Sequence, residues 1–275
     1  MELGASSGEL AFLASMLLAG GLVTGFLAGL LGIGGGGILV PVLYETFSAL
    51  GVAESIRMHV VLGTSFAVIV PTAWRSSRAH LATGAVDREV LVRLGPYVVA
   101  GVIVGAALVS AASGTALKLV WIVCGGFLAT KMALGRDDWR LGDELPKSRL
   151  LEATAFAIGL VSTLMSIGGG MFLTTVFMLY GRPIHSAVAT SSAFGPLIAI
   201  PGLLGYVWAG WSAPGLPALS VGYVSLVGAA LIIPASVLAA PYGVRAAHGI
   251  SKRKLELAFA AFLAFVAVRL LISLL

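Results

Sequence analysis

Apolar stretches separated by short polar or charged segments run along the whole chain and form two successive sets of five. In each set a long stretch is followed by a short one and then by three more long ones. The stretches are 10–31, 38–50, 59–74, 90–112, 117–134, 150–167, 171–180, 186–208, 219–240 and 255–275. Long stretches with so few charges are typical of transmembrane helices, so the pattern predicts an all-α polytopic membrane protein.

The short second stretch of each set directly follows a run of glycines. Residues 32–37 are Gly-Ile-Gly-Gly-Gly-Gly, and residues 167–170 are Ile-Gly-Gly-Gly. Stretches 38–50 and 171–180 fall below the roughly 20 residues that span hydrocarbon. We therefore expect glycine-broken half-helices or re-entrant pieces here, with opened backbone that is buried in protein or lines a cavity.

The two sets also match residue by residue. Five anchors occur in the same order in both: Gly25 with Gly159, His59 with His185, Thr64 with Thr190, Pro96 with Pro234, and Gly105 with Gly243. Such ordered matches predict an internal duplication. The expected organisation is a first transmembrane half at 1–135, a charged linker at 136–149 and a second transmembrane half at 150–275.

The basic loops change sides between the two halves. The segment after the third stretch carries Arg75, Arg78, Arg88 and Arg93, whereas its counterpart, 209–216, is uncharged. Conversely, 110–116 is uncharged, and its counterpart carries Arg245, Lys252, Arg253 and Lys254. Because basic loops favour the cytoplasm, this predicts two inverted-topology repeats of about five helical elements each. The linker is expected to be cytoplasmic, and eight to ten full spans are expected.

The composition excludes several classes of protein. Hydrophobic residues make up 59% of the chain and charged residues 11%, with a mean hydropathy of +1.03, whereas soluble domains carry roughly 25% charge. The net charge of +5 lies in loops and does not indicate a nucleic-acid partner. One cysteine permits no intrachain disulfide, and no metal cluster or cofactor is expected. Enzyme motifs and a phosphate-binding loop are absent, so we expect a non-enzyme that moves solute passively or by an ion gradient.

The glycine runs predict an anion site. A helix that restarts after glycines presents unpaired N–H groups and the positive end of its dipole, which bind anionic substrate groups. The alternative is that the glycines only let helices cross closely. The predicted substrate-binding glycines are Gly34, Gly35, Gly36, Gly37, Gly168, Gly169 and Gly170.

Hydroxyls at equivalent positions of the two third stretches are further candidates for substrate binding: Thr64, Ser65, Thr190, Ser191 and Ser192. Hydroxyls can donate to an oxyanion, although they also commonly bond to their own helix. His59 and His185 are candidates for a coupling proton, with an ordinary place at a helix end as the alternative. Glu45 is an intramembrane carboxylate by sequence, or one that lies in water at the end of a half-helix.

Together these residues resemble the TauE/SafE sulfite exporter family, the TSUP group of membrane permeases. The resemblance covers nearly the whole chain and rests on Gly29-Leu30-Leu31-Gly32-Ile33-Gly34-Gly35-Gly36 with Pro41, Ile167-Gly168-Gly169-Gly170, Ala189-Thr190-Ser191 and His80-(x3)-Gly84-Ala85-Val86-Asp87. It implies export of sulfite or a related organosulfur anion across the bacterial cytoplasmic (inner) membrane. The second half departs from the family pattern, with Gly210-Trp211-Ser212 where a Gly-x-x-Asp is expected.

The leading hypothesis is a secondary transporter that exports a small sulfur oxyanion by alternating access at a site between the two glycine breaks. Its expected partners are a small anionic substrate, the lipid bilayer and a coupling proton. Two alternatives from other classes remain open. One is a channel-like anion pore, and the other is a membrane scaffold that recruits a partner through the linker.

Overall fold

The computed structural model describes residues 7–31, 36–135, 140–247 and 252–274. These residues form ten α-helices and one short β-hairpin. The helices are α1 (Ser7–Leu31), α2 (Gly36–Ala49), α3 (Glu54–Ala82), α4 (Arg88–Ala111), α5 (Gly114–Leu134), α6 (Arg149–Met165), α7 (Gly170–Leu179), α8 (Ile184–Ala209), α9 (Leu226–Ala247) and α10 (Lys252–Ile272). The expectation of a helical membrane protein with two short second elements is confirmed.

Five of the helices in the described part of the chain are long and apolar enough to cross a membrane: α3, α4, α5, α8 and α9. Three shorter apolar helical stretches are found at Ala14–Leu27, Gly170–Leu179 and Leu257–Ile272. By length and composition, the described residues therefore offer fewer full spans than the expected eight to ten. The short elements α2 and α7, with 14 and 10 residues, account for part of the difference.

The ninth apolar stretch does not begin as a helix, so the prediction for residues 219–225 is wrong. Strand β1 (Ser220–Val221) pairs antiparallel with β2 (Val224–Ser225) in a two-residue hairpin. Gly222 has a φ of +57° at the first position of the turn, where a glycine is favoured. A side chain at Gly222 would collide with the Val207 carbonyl, so the hairpin is folded tightly against the end of α8.

Helices from the two halves pack against each other in pairs. The main pairs are α1 with α9, α4 with α6, α3 with α8, and α5 with α10. Glycines permit the closest approaches, since a Cβ atom at Gly25 would overlap the Ser236 backbone of α9. A Cβ atom at Gly159 of α6 would likewise overlap the Val98 backbone of α4. The halves thus share one continuous apolar core rather than two separate ones.

Helices α3 and α8 lie antiparallel at the centre of this core. Gly202 lies against the Phe66 ring, with its Cβ position 2.9 Å away, whereas Gly195 lies against Ala73 at 3.1 Å. Later residues of α8 therefore meet earlier residues of α3. Both helices are largely buried. The break between α6 and α7 packs against them, at Ile69 of α3 and Ile198 of α8.

Candidate functional site

The chain changes direction between α6 and α7 at the second glycine run. α6 ends at Met165, and Ser166 adopts the left-handed conformation with a φ of +50°. Gly169 is also left-handed, with a φ of +68°, and directly precedes α7. A Cβ atom at Gly169 would collide with the Ile198 side chain. The left-handed dihedral angle therefore favours glycine at this position, and a larger residue would also displace the Ile198 Cδ1 atom.

The end of α6 is held by two buried aromatic side chains. The Trp121 indole N–H donates to the Met165 carbonyl at 3.0 Å, and the Tyr206 hydroxyl donates to the Thr163 carbonyl at 3.1 Å. Carbonyls in the last turn of a helix lack partners within the helix. The Trp121 indole supplies a donor for the Met165 carbonyl, and the Tyr206 hydroxyl adds a second donor to the Thr163 carbonyl, which also accepts from Ser166 N–H. The end of α6 is thus held by α5 and α8.

The start of α7 has no comparable partners. Within the described structure, no oxygen accepts from the N–H groups of Gly170, Met171 or Phe172, and Gly169 supplies no capping side chain. A Cβ atom at Gly170 would meet nothing within 4 Å. The first turn of α7 therefore faces open space with free donors and the positive end of the helix dipole.

Two buried hydroxyls beside this turn also lack partners. Ser162 and Ser166 are both fully buried, and neither Oγ atom has a hydrogen-bond partner. Ser162 Oγ lies 3.3 Å from the Cβ position at Gly169. Buried hydroxyls normally find a partner or a bound water or ligand. Neither serine is among the residues predicted from the sequence, although both lie within the last few residues before the glycine run at 168–170.

The first glycine run is only partly described. Gly36 and Gly37 form the start of α2, whereas the predicted site residues Gly34 and Gly35 lie outside the described residues. Gly168 and Gly170 flank Gly169 at the second run, and the Cβ position of Gly168 lies 3.6 Å from Ile69 of α3. The predicted glycine site is therefore described in full only in the half built by α6 and α7.

The two predicted threonines each accept a backbone N–H from a distant segment. Thr190 Oγ1 accepts from Asp87 N–H at 2.9 Å, and Thr64 Oγ1 accepts from Ser225 N–H at 3.0 Å. Asp87 and Ser225 in turn cap the helices that follow them, by accepting from Val90 N–H and Gly228 N–H. Each threonine thus holds the start of α4 or α9, and its hydroxyl hydrogen stays available for a further bond.

The arrangement locates the second-half counterpart of the Gly-x-x-Asp segment, in which serine stands in place of the aspartate. Gly84-Ala85-Val86-Asp87 corresponds to Gly222-Tyr223-Val224-Ser225, at the offset of 138 that relates Pro96 to Pro234. Gly84 and Gly222 both have positive φ, at +71° and +57°. The counterpart lies twelve residues beyond Gly210, because the second half has a longer loop before its ninth helix.

The structure does not bring the two hydroxyl pairs together. Ser65 lies beside Phe66, which contacts Gly202, whereas Ser191 precedes Gly202 by eleven residues on α8. At 1.5 Å per residue this separates the two pairs by roughly 16 Å along the helix. The break, in contact with Ile198, lies between them. Ser65 and Ser191 are buried without a partner, and Ser192 is half-buried.

Comparison with known proteins identifies the family. Residues 17–270 match the family described as "Sulfite exporter TauE/SafE". The chain belongs to the TauE/SafE family.

A "probable membrane transporter protein" of Haemophilus influenzae is 31% identical over 264 residues, which cover 95% of this chain and 99% of that protein. A probable membrane transporter protein of Methanocaldococcus jannaschii is 25% identical over 268 residues, which cover 96% of this chain and 97% of that protein. No solved structure matches the chain. This TauE/SafE protein is therefore a multi-pass membrane transporter.

The two candidate histidines of the TauE/SafE protein lie in different surroundings, although their positions correspond. His59 is buried, its Nε2 lies 3.0 Å from the Ala112 carbonyl, and its ring lies 4.7 Å from that of Tyr223. Burial raises the pKa of the Tyr223 hydroxyl. His185 is exposed in the first turn of α8. The two histidines therefore have different environments, although their sequence positions correspond.

The candidate carboxylate Glu45 forms an ion pair with Arg269, which joins α2 to α10, and both side chains are nearly half exposed. A more buried cluster lies where α3 begins. Glu54 pairs there with Arg57 and with Lys118, whose side chain is 2% exposed, and it accepts from the Tyr44 hydroxyl at 2.9 Å. These pairs link helices at one end of the bundle, away from the glycine break.

Proposed function

We propose that this TauE/SafE protein is a secondary transporter that exports a small sulfur oxyanion, such as sulfite, through a site between the two glycine breaks. The observation that carries the proposal is the start of α7. Free N–H groups, open space at Gly170 and two buried hydroxyls without partners are found there together. An oxyanion accepts hydrogen bonds from such donors and is stabilised by the helix dipole.

Alternating access is supported by how the helices pair. Exchanging each helix for the one five places later maps α1–α9 onto α6–α4, and it maps α3–α8 and α5–α10 onto themselves. The bonds Thr64–Ser225 and Thr190–Asp87 form a corresponding pair on opposite sides of the break. Inverted repeats of this kind would let one half rock against the other around a fixed site.

The proposed location is the bacterial inner membrane, with the Asp87 end of the bundle in the cytoplasm. Arg75, Arg78, Arg88 and Arg93 lie at this end, in agreement with the rule that short basic loops face the cytoplasm. A proton gradient would supply the energy. The buried His59 is the stronger of the predicted coupling residues, because Glu45 is already paired with Arg269.

Counterflow in proteoliposomes tests the proposal. Vesicles containing the purified protein are loaded with unlabelled sulfite, and radiolabelled sulfite is added outside. A carrier gives transient, saturable accumulation of label above the external concentration. Thiosulfate, sulfate and short sulfonates in the same assay define the substrate class.

The other two functions give different results in this assay. A channel-like pore would equilibrate label without a saturable rate, and a scaffold would carry no anion. Either result would contradict the proposed carrier. Protein-free vesicles measure the leak, which matters because undissociated sulfurous acid crosses lipid at low pH.

A further inference from the structure

A second polar pocket lies at the Asp87 end of the bundle, separate from the glycine break. It is a small depression open to solvent, and its polar lining side chains are Asp87, Arg182, Ser186 and Thr190. Arg182 and Asp87 form an ion pair of 2.9 Å between Nη2 and Oδ2. Their side chains are 41% and 23% exposed, so the pocket is open to solvent and accessible to a solute.

The two charged groups differ in how firmly they are held. Asp87 Oδ1 accepts from Val90 N–H at 3.1 Å, and the carboxylate lies at the start of α4, where the helix dipole stabilises a negative charge. For Arg182, Asp87 is the one acceptor found for the guanidinium among the described residues. Asp87 would therefore keep a partner if Arg182 turned to another anion.

One inclined row of α8 side chains leads from the pocket to the break. Ser186, Thr190, Phe194 and Ile198 are spaced by four residues, so they lie in a row along that helix. Ser186 and Thr190 line the pocket, and Ile198 contacts the break at Gly169. Between them the Phe194 ring packs against that of Phe177, with 6.3 Å between centroids. Both rings are buried, so they close the route between the pocket and the break.

We propose that this pocket is an entry subsite for the transported oxyanion, with Arg182 as its recognition residue. This inference rests on the proposed export function. A guanidinium binds an oxyanion through two parallel N–H bonds, and the hydroxyls of Ser186 and Thr190 supply further donors. The arriving anion takes Arg182 from Asp87, and Asp87 stays capped on α4. Passage to the break then requires the Phe177–Phe194 pair to separate.

The two charges of the pair predict opposite effects on substrate affinity. Arg182→Gln removes the donor, whereas Asp87→Asn removes the competing charge and keeps a good helix cap. Sulfite uptake into inside-out membrane vesicles, which present the cytoplasmic face, measures KM from that side. We expect Arg182→Gln to raise KM by roughly tenfold or more, as for loss of a charged hydrogen bond. We expect Asp87→Asn to lower KM, and Arg182→Lys to restore part of the affinity.

Arg245→Gln is the matched control, since Arg245 is exposed on α9, lies over the Tyr242 ring of its own helix, and no residue of α9 lines the pocket. Its KM should equal that of wild type. An ion pair with only a structural role would make both pocket variants worse, or would change the maximal rate and stability without moving KM in opposite directions. Either pattern would overturn the entry subsite. If wild type still takes up sulfite saturably in the same experiment, the carrier proposal stands. Absence of saturable sulfite uptake by wild type would overturn both.

Discussion

At the scale of single residues, the structure separates side chains that the sequence placed together. Thr64 and Thr190 accept backbone N–H groups from the capping residues Ser225 and Asp87. Their neighbours Ser65 and Ser191 are buried with unpartnered hydroxyls. A predicted threonine–serine pair thus consists of one residue that holds a neighbouring helix and one buried hydroxyl without a hydrogen-bond partner.

Thr190→Val tests the first role. The substitution leaves the Asp87 N–H without an acceptor, and an unsatisfied buried donor costs about 1–3 kcal/mol. We expect a lower midpoint of thermal unfolding in detergent, largely restored in Thr190→Ser. Thr130→Val is the control, because the exposed Thr130 hydroxyl bonds only to the Gly126 carbonyl of its own helix. An unchanged midpoint in Thr190→Val would show that the bond carries no stability.

Ser162→Ala tests whether the free hydroxyls beside the break serve a ligand. Removing a buried hydroxyl that has no partner should leave the unliganded protein as stable as wild type or more stable. The rise in unfolding temperature caused by sulfite should become smaller, because the ligand loses a donor. A full sulfite-induced rise in Ser162→Ala would exclude this hydroxyl from the site.

At the scale of elements, close helix contacts hold the break in place. α6 reaches its end beside α4 because Gly159 lets the two backbones approach. Gly159→Leu should therefore separate α4 from α6 and sharply reduce the yield of folded protein. Gly126→Leu is the matched control, since a Cβ atom at Gly126 of α5 meets nothing within 4 Å. Size-exclusion chromatography of the two variants measures the difference, and equal folded yields would contradict the close packing.

Helix positions were largely predictable because apolar length alone determines where a helix can lie in a membrane. The residues at which the helices begin and end were less predictable. α3 was expected at 59–74 but extends over Glu54–Ala82, since its polar ends continue the helix past the apolar stretch. The hairpin at Ser220–Ser225 was missed because Val221, Tyr223 and Val224 fit a buried strand as well as an apolar helix.

The candidate site was predictable only in part. The glycine run at 168–170 marks the break, because glycine readily adopts the left-handed conformation that is found at Gly169. The partners of Thr64 and Thr190 depend on which helices meet, which no local pattern encodes. The offset of 138 between Pro96 and Pro234 nevertheless also relates Asp87 to Ser225, so the sequence does indicate that these two capping positions correspond.

At the scale of the whole molecule, the proposed inverted repeat predicts which loops face each side of the membrane. Thr83, Ser110 and Ser212 are exposed in loops or at helix ends, and each can be replaced singly by cysteine in a Cys124→Ala background. A membrane-impermeant maleimide applied to intact cells should label the cysteines at 110 and 212 but not the one at 83. Labelling at 83, or protection at 212, would contradict the inverted arrangement.

The central claim is that the start of α7 binds the transported oxyanion. The most direct measurement is the sulfite-induced rise in unfolding temperature of purified wild type, Gly170→Leu and the control Gly126→Leu. Gly170→Leu places a side chain in the open space at the start of α7, where a Cβ atom meets nothing within 4 Å. We predict a concentration-dependent rise for wild type and the control and none for Gly170→Leu. An equal rise in all three proteins would contradict the claim.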